Sequence, residues 1–237
     1  MRAVILAGGK GTRLKPYTIT LPKPLVPVAG ELPILEIVIR QLKTAGFDHI
    51  TIAVNHMAEL VMAFFGNGSR WKTKIDYSIE ESALSTIGPL TLIPDLPPAF
   101  LVMNGDILCD LDYSDFYDYH IERQNDVTVS VYQRTTTIDF GVITYDANHV
   151  ATGFVEKPVY HLDVSMGVYC LNRSIVDQLP KGKPYGFDDL MLDGIRNRRK
   201  IGVRPFKGFW LDLGRPEDFD LANEKYEELK ARLGLLK

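Results

Sequence analysis

Two hydrophobic periods alternate along this chain. Short apolar or β-branched runs read as strands, and between them lie segments with apolar residues every three or four positions, the helical spacing. Ala3 to Ala7 is a short strand that runs into Gly8-Gly9-Lys10-Gly11. Ile34 to Ala45 predicts a helix with Leu35, Val38, Ile39 and Leu42 on one side, closed by Gly46. His49 to Val54, Lys74 to Ile79 and Ala99 to Met103 read as strands, and Met57 to Phe65 and Tyr113 to Arg123 as helices. Ser85 to Ile93 also reads as a helix, with Pro89 confined to its first turn or to a kink. Strands follow at Val127 to Tyr132, Val142 to Tyr145, Val150 to Glu156 and Val164 to Cys170. Ser174 to Leu179 and Asp188 to Asn197 read as helical, and Ile201 to Pro205 and Phe209 to Leu211 as extended. Pro216, at a first helical position, opens a final amphipathic helix to about Leu233.

Strands that alternate with helices predict an α/β fold: a single Rossmann-like domain over residues 1–237, with a mostly parallel mixed sheet flanked by helices. The strand-rich stretch from Val127 to Cys170 adds antiparallel pairing. No linker, repeat or low-complexity run divides the chain, and the last helix is expected to close the fold with no appended domain. In open α/β sheets ligands sit beyond the carboxyl ends of the strands, so the loops after Ala7, Met103 and Leu211 are the places for chemistry.

Composition narrows the function. Hydrophobic content of 46% suffices for a core, and a net charge of −3 offers no global field for nucleic acid. No apolar run approaches the ~18 residues of a membrane span, and Val4 to Ala7 is too short for a signal peptide. Cys109 and Cys170 cannot form a disulfide framework and read as inert core residues. A cytoplasmic protein is expected.

The glycine loop offers close backbone approach and exposed N–H groups to an anion. Arg13, and Lys23 between Pro22 and Pro24, lie nearby to neutralise phosphate charge. A Walker A loop is excluded because Lys10 stands between Gly9 and Gly11. A dinucleotide fingerprint fails because Leu14 stands where its third glycine belongs. The run from Gly8 through Pro24, Gly-Gly-x-Gly-Thr-Arg-Leu-x-Pro-x-Thr followed by Pro-Lys-Pro, resembles the start of the nucleotidyltransferases that make NDP-sugars from a nucleoside triphosphate and a sugar 1-phosphate. The resemblance, to the short single-domain members, extends over essentially the whole chain. It implies nucleotide contacts from Leu6, Ala7, Gly8, Gly9, Gly11 and Thr12, a nucleotide half at about 1–125 and a sugar-phosphate half at about 126–237.

Two acidic motifs lie far apart. Asn104-Gly105-Asp106 follows one strand, and Trp210-Leu211-Asp212-Leu213-Gly214 ends another. One or two carboxylates plus substrate phosphates suffice to hold Mg²⁺, and the resemblance implies that Asp106 and Asp212 are the pair. Asp112 reads as a helix N-cap, as do Asp188 and Asp189, and Asp139 as the end of a turn. None of the five histidines has a partner at metal-ligand spacing, so zinc is not expected.

Glu156-Lys157-Pro158 ends a strand with an acid and a base, which on residues alone is equally an exposed ion pair. The resemblance implies sugar hydroxyls for Glu156, the sugar phosphate for Lys157, and sugar-pocket roles for Gly141 and Gly167. The segment from Tyr77 to Leu90 resembles the base-reading segment of guanylyltransferase-like members, with Glu80 and Gly88 as candidates. It departs from that pattern at Ser85, for a glycine, and at Ile87, for an alanine. A carboxylate can pair with guanine N1–H and N2, which favours GTP over uridylyl, thymidylyl or cytidylyl donors. The acceptor is expected to be a mannose- or heptose-type sugar 1-phosphate. A non-catalytic NDP-sugar-binding regulator on the same fold, or a dinucleotide oxidoreductase, would be expected to lack Arg13, Lys23 or an acidic partner in the first case and to carry the third glycine in the second. A homo-oligomer is compatible with the sequence; nucleic acid and membrane are not expected partners.

Overall fold

The computed structural model describes residues 1–235. Thirteen strands and seven α-helices follow one another in chain order. The strands are β1 (Arg2–Leu6), β2 (Pro27–Val28), β3 (Leu32–Pro33), β4 (His49–Val54), β5 (Lys74–Ile79), β6 (Ala99–Asn104), β7 (Ile107–Cys109), β8 (Val127–Thr137), β9 (Val142–Tyr145), β10 (Ala151–Val155), β11 (Val159–Asn172), β12 (Ile201–Phe206) and β13 (Trp210–Asp212). The helices are α1 (Ile34–Thr44), α2 (Ala58–Phe65), α3 (Tyr113–Glu122), α4 (Arg173–Val176), α5 (Phe187–Arg196), α6 (Pro216–Glu224) and α7 (Tyr226–Arg232).

Seven strands form the central sheet in the order β12-β8-β11-β6-β1-β4-β5. β1 pairs in parallel with β4 and β6, β4 with β5, and β12 with β8; β11 alone runs against its neighbours β6 and β8. Both faces are covered, as a parallel sheet requires. Along β1 the side chains divide by parity: Ala3 and Ile5 pack toward α1, α2 and α3, while Val4 packs with Phe100, Val102, Val129 and Leu171 against α4 and α5. A third apolar group joins α1 to the chain's end, with Ile34 and Ile37 against Leu211, Phe219, Tyr226 and Leu229.

Four elements differ from expectation. Ser85 to Ile93 is a loop with only a short 3₁₀ turn at Gly88–Leu92. Ser85 takes φ +65°, Pro89 has no N–H, and the Ile87 and Gly88 amides donate to the Tyr185 carbonyl at 2.9 Å each, so these amides are satisfied by a distant loop rather than by a helix. The final helix divides at Lys225, whose φ −100° and ψ 16° leave the helical region, while Tyr226, Leu229 and Leu233 remain buried. The strands at Val127 and Val164 run much longer than their buried cores: β8 and β11 continue past the core as an exposed pair. Asp112 caps α3 by accepting from Asp115 N, as expected, and both cysteines are buried and unbridged.

Phe100 is fully buried between β6 and the α4/α5 layer. Phe100→Ala should destabilise the fold by about 3–5 kcal/mol, read as a lowered urea midpoint with an unchanged slope.

Candidate functional site

β1 and β6 are adjacent parallel strands, so their carboxyl ends open on the same side, with Leu6 level with Asn104. Gly105 N donates to the Leu6 carbonyl at 2.9 Å, tying the acidic turn after β6 to the root of the glycine loop. Gly11 adopts φ +63°, and a Cβ there would strike Thr18 and Lys23; Thr18 Oγ1 donates to the Gly11 carbonyl at 2.8 Å. Only glycine lets the loop fold this tightly. A cavity of about 620 Å³ lies over the loop. Leu6, Ala7, Gly8, Gly9, Gly11, Thr12, Arg13, Lys23, Glu80, Asn104, Gly105 and Asp106 all line it, together with Ser85.

The acidic motifs meet beyond this loop. β7 and β13 pair antiparallel, with Asp212 opposite Ile107, and Leu213 N donates to the Asp106 carbonyl at 2.9 Å. Lys23 forms an ion pair with Asp106. A Cβ on Gly214 would lie 2.8 Å from Asp212 Oδ1, 2.8 Å from Lys23 Nζ and 3.0 Å from Arg13 Nη2. Two cations and the Asp212 carboxylate therefore surround one point, with Asp106 paired to one of those cations, and a side chain at residue 214 would fill it. Burial, and next the like charge of Asp106, push the Asp212 carboxyl above its ordinary pKa; the Gly214 amide, Lys23 and Arg13 act against this. Asp212 has no ion-pair partner of its own among the described residues.

A second cavity, of about 320 Å³, shares Asn104 with the first and is lined by Asp212, Gly167, Tyr169 and Trp210. Gly167, at φ +76°, lies against the Asn104 side chain. Two arginines of this cavity, Arg134 and Arg215, were not among the sequence candidates. Arg134 lies 4.7 Å over the Trp210 ring and bonds Asp218 Oδ2 at 2.7 Å; the same oxygen accepts from Asp212 N at 3.0 Å. Asp218 thus fixes a half-buried guanidinium and the backbone of Asp212 together. In the sequence Asp218 reads as an ordinary acid in the first turn of a helix, and Arg134 as the polar end of a strand, so neither carries a signal without the tertiary contact.

Glu80 is buried, its Oε2 accepts from Leu84 N at 3.1 Å, and its Oε1 faces Gly8. Desolvation raises its pKa. Ser85, which replaces a glycine of the pattern noted above, holds the left-handed φ that glycine adopts freely. Gly88 stands outside the cavity lining, packed on the carbonyl of Lys183. Gly141, Glu156 and Lys157 gather elsewhere: Gly141 lies beside the Glu156 carboxylate, and Lys157 Nζ is 3.2 Å from Asp139 Oδ1, all of them exposed. None of the three lines either cavity. Among the described residues no helix is long and apolar enough to cross a membrane.

Known proteins share this arrangement of chain. The sequence is 32% identical to the mannose-1-phosphate guanyltransferase of Aspergillus oryzae over 228 residues, 92% of this chain and 62% of that protein. It is 33% identical to the mannose-1-phosphate guanylyltransferase catalytic subunit beta of Dictyostelium discoideum over 226 residues, again 92% and 62%. The chain thus spans about six-tenths of the length of these curated relatives. HddC from Yersinia pseudotuberculosis, in its complex with GMP-PN, superposes with a TM-score of 0.71 at 26% identity, covering 95% of this chain and 99% of that one. The Nucleotidyl transferase family model matches residues 2–229, and the chain belongs to that family.

Proposed function

We propose that the protein transfers GMP from GTP to a mannose- or heptose-type sugar 1-phosphate. A phosphate oxygen of the acceptor attacks the α-phosphorus, the bond from that phosphorus to the bridging oxygen breaks, and pyrophosphate leaves with the electron pair. The observation that carries this reading is the meeting of Arg13, Lys23 and Asp212 around Gly214, with Asp106 paired to Lys23, where two cavities adjoin. One cavity has a glycine cradle for phosphates and the other has arginines for a second anion. The curated relatives named above are mannose-1-phosphate guanyltransferases, and the GMP-PN complex of HddC supports a guanine donor.

The reaction needs positioning and charge neutralisation more than covalent help. The Gly8 to Gly11 amides and Arg13 hold the β- and γ-phosphates. Lys23 follows the α-phosphate, its ammonium started from a stiff base by Pro22 and Pro24. Glu80 Oε1 accepts from guanine N1–H and N2. Arg134, held by Asp218, takes the acceptor's phosphate, and Glu156 and Lys157 bind sugar hydroxyls and phosphate.

The acidic pair fits Mg²⁺. Asp106 is balanced by Lys23, whereas Asp212 is desolvated beside a like charge, an arrangement that a hard divalent cation relieves. Asp106 and Asp212 would hold the ion with substrate phosphates as further ligands. When bound, it would neutralise charge developing on the transferred and departing phosphates. A nucleoside triphosphate donor and two unbridged cysteines fit a cytoplasmic enzyme.

A pyrophosphate-release panel crossing five nucleoside triphosphates with mannose, glucose, N-acetylglucosamine and heptose 1-phosphates should give its highest rate with GTP and a mannose- or heptose-type acceptor; a higher rate with UTP, dTTP or CTP would remove Glu80 from the role given to it. Arg13→Ala and Asp212→Asn should each lower turnover at least ~100-fold, as expected when one preorganised charge partner is lost. Asp218→Asn should raise KM for the sugar phosphate more than for GTP, because it loosens Arg134.

Stability should move the other way at Asp212. Its pKa is raised on folding, so the unfolded chain ionises first as pH rises, and the folded state loses stability until its own carboxyl has ionised. Asp212→Asn should therefore melt at a higher temperature than the wild type at neutral pH. Mg²⁺ with GTP should raise the wild-type Tm by more than the variant's.

A further inference from the structure

The loop that begins at Glu80 is bonded to a segment that reaches the other cavity. Glu80 Oε2 accepts from Leu84 N at 3.1 Å, and the Leu84 carbonyl accepts from Tyr185 N at 3.0 Å. The Tyr185 carbonyl accepts in return from Ile87 N and Gly88 N at 2.9 Å each. Both backbone groups of Tyr185, which lies outside any helix or strand, are therefore satisfied by the donor loop. Gly88, a sequence candidate that lines neither cavity, owes its identity to this contact. A Cβ there would lie 2.8 Å from the Lys183 carbonyl oxygen and 3.3 Å from Tyr185 N. Only a residue without a side chain admits the segment this closely.

Two residues beyond Tyr185, the same segment borders the smaller cavity, read above as the acceptor site. Phe187 opens α5, and its ring stacks on Tyr169 with centroids 4.4 Å apart and planes 20° from parallel. Both rings line the acceptor cavity, whereas Ser85 and Thr86 line the donor cavity. The turn between the two cavities is stiff. Gly186 N donates to Asp189 Oδ2 at 2.8 Å and the Tyr185 hydroxyl to Asp193 Oδ2 at 2.9 Å, so both residues are fixed to α5. Tyr169 is buried and accepts from Ser165 Oγ at 3.2 Å, while Phe187 is half-buried and leaves part of its ring to the cavity. A sugar ring has an apolar C–H face, and an aromatic side chain is a rigid surface for it.

We infer that Phe187 packs against the acceptor's sugar ring and that the donor's base sets its placement, through the bonded route from Glu80 by Leu84 to Tyr185. A guanine that engages Glu80 holds the carboxylate, and with it the Leu84 amide, where the loop seats Tyr185. Phe187 then stands where the sugar ring meets it. Ser85 holds φ +65°, a left-handed conformation that costs free energy in a residue with a side chain, so the loop keeps this shape only while its contacts hold it. A donor that leaves Glu80 partly unpaired releases the loop and, with it, Phe187. Recognition of the base is thus expressed a second time, as affinity for the acceptor. The inference rests on the reading of Glu80 as the guanine contact and of the smaller cavity as the acceptor site.

Kinetics at saturating donor test it. Inosine triphosphate lacks only the N2 amine of GTP, so it keeps every phosphate contact and weakens the contact with Glu80. The acceptor is the faster of mannose and heptose 1-phosphates with GTP. For the wild type, its KM should be at least about fivefold higher with inosine triphosphate than with GTP, the lower end of couplings between sites. In Phe187→Leu the KM with GTP should rise to match that with inosine triphosphate, and Phe187→Tyr should restore the difference. A merely structural role for Phe187 would lower stability or kcat and leave the difference in place. If inosine triphosphate is not turned over, the same comparison is read as acceptor Kd by calorimetry, with Ca²⁺ in place of Mg²⁺. Equal values with the two donors in the wild type overturn the inference, whether or not the variants fold, and so does a difference that persists in Phe187→Leu. If GTP supports no pyrophosphate release with any sugar 1-phosphate, the functional reading fails and this inference falls with it. The two failures are told apart because an acceptor KM exists only where that reading holds.

Discussion

The contact between the Lys23 ammonium and the Asp106 carboxylate is the constraint on which the rest of the site depends. Lys23 comes from a proline-framed 3₁₀ turn and Asp106 from the end of a central strand, and their pairing closes the glycine loop against the sheet. Once these charges balance, Asp212 is the unmatched one. Its carboxyl is desolvated, faces a like charge, and is held where Gly214 leaves room for two cations. Concentrated charge of this kind is paid for by the packing beneath it: β1 and β6 are among the most completely buried strands of the molecule.

Asp218 organises the other side. One oxygen receives both the Arg134 guanidinium and the Asp212 amide, so the anion-binding side chain and the acidic strand end move as a unit. This one buried oxygen, accepting two hydrogen bonds, links β8 at Arg134 to the reacting centre. A mechanical connection therefore runs from β8 to the place where the two cavities join.

Much of this is legible in the sequence. The strand runs at His49 and Lys74 and the period-3.6 run at Ile34 all lie within a residue of expectation, and α1 buries a continuous stripe. The two acidic turns were found because each ends an apolar strand beside a glycine. The segment from Ser85 to Ile93 was misread because apolar spacing there reflects burial of Ile87, Leu90 and Ile93 in a loop, with its amides satisfied by the Tyr185 carbonyl far away in sequence. The lengths of β8 and β11 were missed because their outer halves have no buried face to impose a pattern. Arg134 and Asp218 were invisible for a different reason: their significance is one bond across 84 positions of chain.

The side chain of Asn104 borders both cavities. On the proposed reaction, each substrate fills one chamber, whereas the finished nucleotide sugar must lie through the doorway between them. It would behave as a tethered pair of ligands, holding on by both ends after pyrophosphate has gone, and turnover would be paced by how quickly that doorway lets go.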